Sequence, residues 1–226
     1  MAKEKGKTAR TSIDELNDSL SSMEQKLEGN KKIIGWIIGA IIIVAVIVLG
    51  YIYLIYTPNV EKAKEDIAKA DMSLAMGQDS VALKQYETIA TNYSNSAANR
   101  ADLNAAILLY SKGKYQEAIN YLKEYDPKGE LVGPASQSLL GDCYVNLKKY
   151  DDAISAFDKA ISLSDSNPLY TPLFMMKKAT VLRELKKYAE EAKLLESIKS
   201  DYPEFSGSYR IDIDKYIERA KAQAGE

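Results

Sequence analysis

Lys148–Ile161 reads KKYDDAISAFDKAI, and Gly113–Asp126, GKYQEAINYLKEYD, repeats its pattern. A third version, KKYAEEAKLLESIK, occupies Lys186–Lys199. With Tyr115, Tyr150 and Tyr188 aligned, the copies are spaced by 35 and 38 residues, the period of helix-turn-helix solenoids. Each tyrosine follows a lysine, in what the spacing makes the turn between two helices. Upstream, a first helix carries a small residue, Ala106, Gly141 or Ala179. Downstream, a second helix carries Ala118 or Ala153, then Leu122, Phe157 or Leu195 one turn later. The small residues let paired helices approach, and the larger ones fill the space to the next pair. A degenerate fourth copy, AMGQDSVALKQYETIATNYSNS, keeps Gly77, Ala82 and Tyr86 but has Asp79 at the tyrosine position. The expected fold class is all-α: a solenoid of about four helix-turn-helix repeats.

The fragment LLGDCYVNLKKYDDAISAFDKAISLSDSNP resembles a tetratricopeptide (TPR) repeat, with Leu140, Gly141, Tyr144, Tyr150, Ala153, Phe157 and Ala160 at the positions of that pattern. The closing proline is replaced by Asp165, with Pro168 late. The last copy has Pro203 in place but Glu191 where alanine is usual. The resemblance covers about Glu61 to Pro203. Beyond it, SYRIDIDKYIERAKAQ places Tyr209, Ile213, Tyr216, Ile217 and Ala220 on one face, as expected of a helix that caps the open end of a solenoid.

TPR architecture implies an adaptor whose first helices line a concave face, and does not name its ligand. Spacing puts Ile67, Leu74, Leu103, Ile107, Tyr110, Val145, Leu173 and Met176 there, interrupted by Arg100, Asp142 and Arg183. Such a groove suits an extended or helical peptide, although the same residues also serve packing between helices. The TPR proteins that clamp C-terminal carboxylates use lysines and asparagines on these helices. Ile67, Asp71, Leu103 and Ile107 stand there instead, which argues against that ligand class.

Composition narrows the chemistry. Acidic and basic residues nearly cancel, 32 against 30, so the chain has no nucleic-acid signature. There is no histidine, which removes imidazole bases and His-containing triads. Cys143 is the one cysteine, so no intramolecular disulfide forms, and its place in a first helix reads as packing. No phosphate loop or metal spacing occurs. The expectation is a non-enzyme without cofactor.

From Ile33 to Tyr56, IIGWIIGAIIIVAVIVLGYIYLIY carries no charge over 24 residues. A helix of that length spans roughly 36 Å, enough for a hydrocarbon core of about 30 Å. Trp36 and the trio Tyr51, Tyr53 and Tyr56 flank it as interfacial rings do. A cleaved signal peptide is the rival reading, but the run exceeds a signal core and no small-x-small cleavage pattern follows it. A signal anchor is expected. Lys31 and Lys32 abut the run on its N-terminal side, whereas Lys62, Lys64 and Lys69 are set back beyond it, which favours a cytoplasmic N-terminus. Gly35 and Gly39 form a G-x-x-x-G pair, and Gly50 shares their face as a candidate contact for another transmembrane helix.

Before the anchor, Ile13, Leu16, Leu20, Met23 and Leu27 line one helical face behind a Ser12/Glu15 capping box. This serves either as a spacer at the membrane surface or as a short docking helix. The expected organisation is a tail over 1–32, an anchor over 33–56 and a TPR domain with its cap over 57–226.

The plan of short tail, single anchor and TPR domain resembles the YfgM-like inner-membrane proteins. That resemblance implies a periplasmic domain, partners among the Sec translocon subunits and a membrane-anchored prolyl isomerase, and a role in translocation or chaperone recruitment. Two other readings stay open: a structural scaffold of an envelope or division complex without client binding, and a receptor facing the cytosol.

Overall fold

The structure, a computed structural model, describes residues 31–225. Every regular element among them is helical. The chain divides into two compact units, with the boundary between Pro58 and Asn59. The face expected from Ile13 to Leu27, with its capping box, lies outside the described residues.

In the first unit, α1 runs Lys31–Tyr51 and buries none of its side chains. It is followed by a π-helical turn at Ile52–Tyr56, where the Thr57 N–H donates to the Ile52 carbonyl five residues back. Pro58 has no N–H for the carbonyl four residues before it, and the widened turn lies just ahead of that gap.

The repeats are built as four helical hairpins: α2 (Thr57–Ala75) with α3 (Asp79–Asn92), α4 (Ser96–Ser111) with α5 (Tyr115–Glu124), α6 (Val132–Asn146) with α7 (Tyr150–Leu163), and α8 (Thr171–Glu184) with α9 (Tyr188–Asp201). The aligned tyrosines are the first residues of α5, α7 and α9, one step past the turns expected to hold them. The turns themselves share one hydrogen-bond pattern. Gly77, Gly113, Lys148 and Lys186 each take positive φ, at 72°, 74°, 57° and 58°. In the third hairpin the Lys148 N–H donates to the Val145 carbonyl and the Lys149 N–H to the Tyr144 carbonyl, both at 2.9 Å. The other three turns repeat these bonds at the equivalent positions. This is the Schellman arrangement, which satisfies the last carbonyls of a helix by turning one residue left-handed.

The small residues act where helices cross. Ala82, Ala106, Ala118 and Ala153 are wholly buried, as is Phe157. Gly141 has the closest approach: a Cβ there would meet the Phe157 ring at 2.5 Å. α6 and α7 therefore pack with no room for any side chain at position 141. The buried residues form a chain of local clusters rather than one core. The first joins α2, α3 and α4, the next α4, α5 and α6, then α6, α7 and α8, and the last begins on α8 and ends on the C-terminal helix.

That end differs from the expectation of a single capping helix. A short turn, α10 (Phe205–Tyr209), stops where Arg210 turns left-handed at φ 55°. Asp212 then caps α11 (Ile213–Ala224), its side chain accepting from the Lys215 N–H. Tyr209 thus lies on α10 rather than α11, but it still packs against the cluster of Ile213, Ile217 and Ala220, and it donates its hydroxyl to the Leu169 carbonyl at 2.8 Å. Ile213, Ile217 and Ala220 do bury against the last repeat.

Candidate functional site

The first helices α2, α4, α6 and α8 carry the residues read as a concave face, and the structure divides them. Ile67 is buried in the first cluster, and Leu74 packs against the same cluster. Leu103 and Tyr110 are half-buried against the α4–α6 cluster, Val145 against the next, and Leu173 and Met176 against the last. Ile107 stands out at 46 % exposure. Tyr110 also meets Tyr115 edge-on at 5.5 Å between ring centres. Burial, and then the charge of Asp142, raise the Tyr110 hydroxyl above its usual range, so it stays protonated.

Two of the three charges expected to interrupt this face, Arg100 and Asp142, are tied between successive first helices. Arg100 of α4 reaches back to Asp71 of α2 at 2.6 Å. Asp71 in turn accepts from the Tyr86 hydroxyl at 2.7 Å. Burial first, and this bond second, push the Tyr86 hydroxyl up to about 12. Lys177 of α8 reaches Asp142 of α6 at 2.5 Å and donates to the Ser138 hydroxyl at 2.9 Å. The Asp142 carboxyl is raised by burial, with Lys177 pulling the other way. These ion pairs span about one repeat, which single-repeat spacing does not reveal.

The sequence shows no further chemistry to place on this face. Cys143 is buried, and burial followed by the nearby Asp142 pushes its thiol up to about 12. It is a thiol at neutral pH, and the thiolate is the nucleophilic form. Among the described residues no cluster of three or more carboxylate or cysteine side chains could hold a metal ion. On α1, a Cβ placed at Gly35, Gly39 or Gly50 would meet nothing within 4 Å, so the three-glycine face is open.

Residues 76–160 match the family described as anaphase-promoting complex, cyclosome, subunit 3, and residues 140–204 match the tetratricopeptide repeat family. No curated protein matches the chain. Among solved structures, the MamA protein is similar at 19 % identity, covering 73 % of this chain and 84 % of its own, with a TM-score of 0.59. YrrB, described as a TPR protein with an unusual peptide-binding site, is similar at 16 % identity, covering 76 % and 84 %, with a TM-score of 0.56. A putative kinesin light chain of Podosopora anserina with nearly identical TPR-like repeats is similar at 16 % identity, covering 73 % and 87 %, with a TM-score of 0.56. At these identities the likeness is one of fold. The hairpins, repeated turns and small-residue crossings extend over the matched residues, and that stretch is built of tetratricopeptide-type repeats.

Proposed function

We propose that this chain is a non-enzymatic scaffold of the bacterial inner membrane, with a single-pass anchor at 33–56, its tail in the cytoplasm and its TPR domain at 57–226 in the periplasm. There it assists protein translocation, or recruits a periplasmic chaperone such as a membrane-anchored prolyl isomerase, beside the Sec translocon. The observation that carries this reading is α1: a helix long and apolar enough to cross a membrane, with mean hydropathy 3.0 over its most apolar 18 residues and no buried side chain, in one chain with TPR repeats. TPR repeats are surfaces for protein partners, so an anchored set serves to hold partners at the membrane. The exposed Ile107, with Leu103 and Tyr110 beside it, is the proposed peptide contact. Lys31 and Lys32 set the orientation, and Gly35, Gly39 and Gly50 offer the anchor's contact with a partner helix.

Protease added to intact spheroplasts is expected to remove the TPR domain and leave the tail protected; a protected TPR domain would overturn the orientation and with it the translocon role. Crosslinking in native membranes is expected to recover translocon subunits. The double change Gly35→Ile with Gly39→Ile should lower that recovery several-fold while leaving insertion intact. Recovery of cell-wall or division proteins instead would favour a structural scaffold of the envelope.

A further inference from the structure

Where α3 ends, α4 begins and α5 ends, two clefts of about 560 Å³ and about 370 Å³ share Asp102 and Glu124 in their walls. None of the residues lining them belongs to the predicted concave face. Asp102 is only 8 % exposed, on the inward side of α4. Among the described residues it has no hydrogen-bond or ion-pair partner, and neither has Glu124. A carboxylate this enclosed is costly without a compensating charge. The groups around it are Tyr93 just after α3, Tyr121, Lys123 and Glu124 of α5, and Asp126 and Lys128 of the following loop. Lys128 is engaged with Asp126 at 2.7 Å. Lys123 is exposed and pairs with neither carboxylate.

The walls are held in place. Asn99 Oδ1 accepts from the Asp126 N–H at 2.6 Å, and its Nδ2 donates to the Asp126 carbonyl at 3.1 Å. This clamps the loop after α5 to α4. The carboxyl-terminal ends of α3 and α5 bring partial negative charge to the same place, and the amino-terminal end of α4, whose first N–H groups are taken up by the Asn95 side chain, brings partial positive charge.

We propose that this cleft binds a cationic side chain, a lysine ammonium or an arginine guanidinium, presented by a protein partner, with Asp102 as the buried anchor and Glu124 at the mouth. The alternative of a bare metal ion lacks donors, since no cluster of three acidic ligands exists among the described residues. The volume of the cleft is also far larger than such an ion needs, whereas it admits an extended side chain with its apolar stem along Ala90 and Ala98.

The titration behaviour agrees. Burial first, and the Glu124 charge second, push the Asp102 carboxyl up to about 6, so with the cleft empty it takes up a proton more readily than a free carboxyl while still predominantly ionised at pH 7.5. A bound cation reverses this by favouring the carboxylate. The group's native pKa lies above its unfolded value of about 3.9. Its contribution to stability is therefore present below pH ~4 and lost as pH rises through about 6. Asp102→Asn, which cannot ionise, should thus raise Tm at pH 7.5 and flatten its fall between pH 4 and pH 7.

The test uses the full chain in detergent micelles, with amide signals of Asn99 and Asp126 followed during titration with N-acetyl-lysine methylamide and with agmatine. Saturable shifts are expected at pH 7.5, weakened about tenfold at pH 5 and at least tenfold in Asp102→Asn. Because that variant is expected to be more stable, its loss of binding cannot be laid to unfolding. Lys159→Ala, on the exposed face of α7 and outside both clefts, should bind as the unaltered chain does. Absence of saturable shifts, unchanged affinity in Asp102→Asn, or equal saturation by potassium or calcium ions would each overturn the proposal. None of these outcomes depends on which side of the membrane the domain occupies.

Discussion

Lys148 and Lys186 are non-glycine residues that the turns inside two hairpins hold at left-handed φ. Both take the left-handed conformation that Gly77 and Gly113 take in the equivalent turns. Outside glycine that conformation costs roughly 1–2 kcal/mol, partly offset by the greater freedom glycine has in the unfolded chain. Lys148→Gly should therefore stabilise the domain by about 0.5–1 kcal/mol, read as a higher denaturant midpoint at an unchanged slope. Gly113→Ala should lower the midpoint by a similar amount. If Lys148→Gly destabilises, the lysine side chain contributes contacts that outweigh its backbone strain. The glycine turns and lysine turns look unlike as text, and only the shared pattern of N–H donors shows them to be one device.

Among elements, the α6–α7 pair is the tightest and the easiest to break. A Cβ at position 141 falls within 2.8 Å of three Phe157 ring atoms. The ring is wholly buried and has nowhere to withdraw without moving a helix. Gly141→Leu should cost on the order of 3 kcal/mol, at the upper end of overpacking penalties. Thermal melting of the full chain in detergent should move down accordingly. Combining Gly141→Ala with Phe157→Leu should recover part of the loss of Gly141→Ala alone, since the two positions share one contact and are not additive. A strictly additive pair would mean that the ring does not set this helix spacing. Gly141 and Phe157 were both legible as packing residues in the repeated phrase, because hairpin contacts recur at fixed offsets along the chain.

On the scale of the molecule, the repeats form a row in which each hairpin is stabilised by its neighbours, and the ends need separate treatment. The C-terminal end is closed by α11, and there Glu191 holds the small-residue position of the last repeat while being only 1 % exposed. Its Oε1 accepts from Arg219 of α11 at 3.1 Å. Arg219 also lies 4.9 Å from the Tyr216 ring centre. Arg219→Ala leaves a buried carboxylate without its partner and should cost about 3 kcal/mol, whereas Glu191→Ala removes the charge along with the need for it and should cost much less. Denaturant unfolding would measure both, and hydrogen exchange should place the loss in α9 and α11 while α3 and α4 keep their protection. A larger loss in Glu191→Ala than in Arg219→Ala would show that the cap is held by packing alone.

The sequence by itself determined the helical class, the repeat period, the turn inside each of the three aligned hairpins to within one residue and the charge-free run of Ile33–Tyr56. These are local properties. In a solenoid most contacts lie within one hairpin or between adjacent ones, so small residues and turns recur at fixed intervals that the text displays directly. What only the tertiary structure decided is how charge is placed. The Asp71–Arg100, Asp142–Lys177 and Glu191–Arg219 pairs link residues 29, 35 and 28 apart, on helices whose rotation about their own axes the text does not specify. The seclusion of Asp102 has the same origin. Its cost is set by the water that α3, α5 and the loop at Asp126 exclude together, and solvation of that kind exists only once those elements have packed.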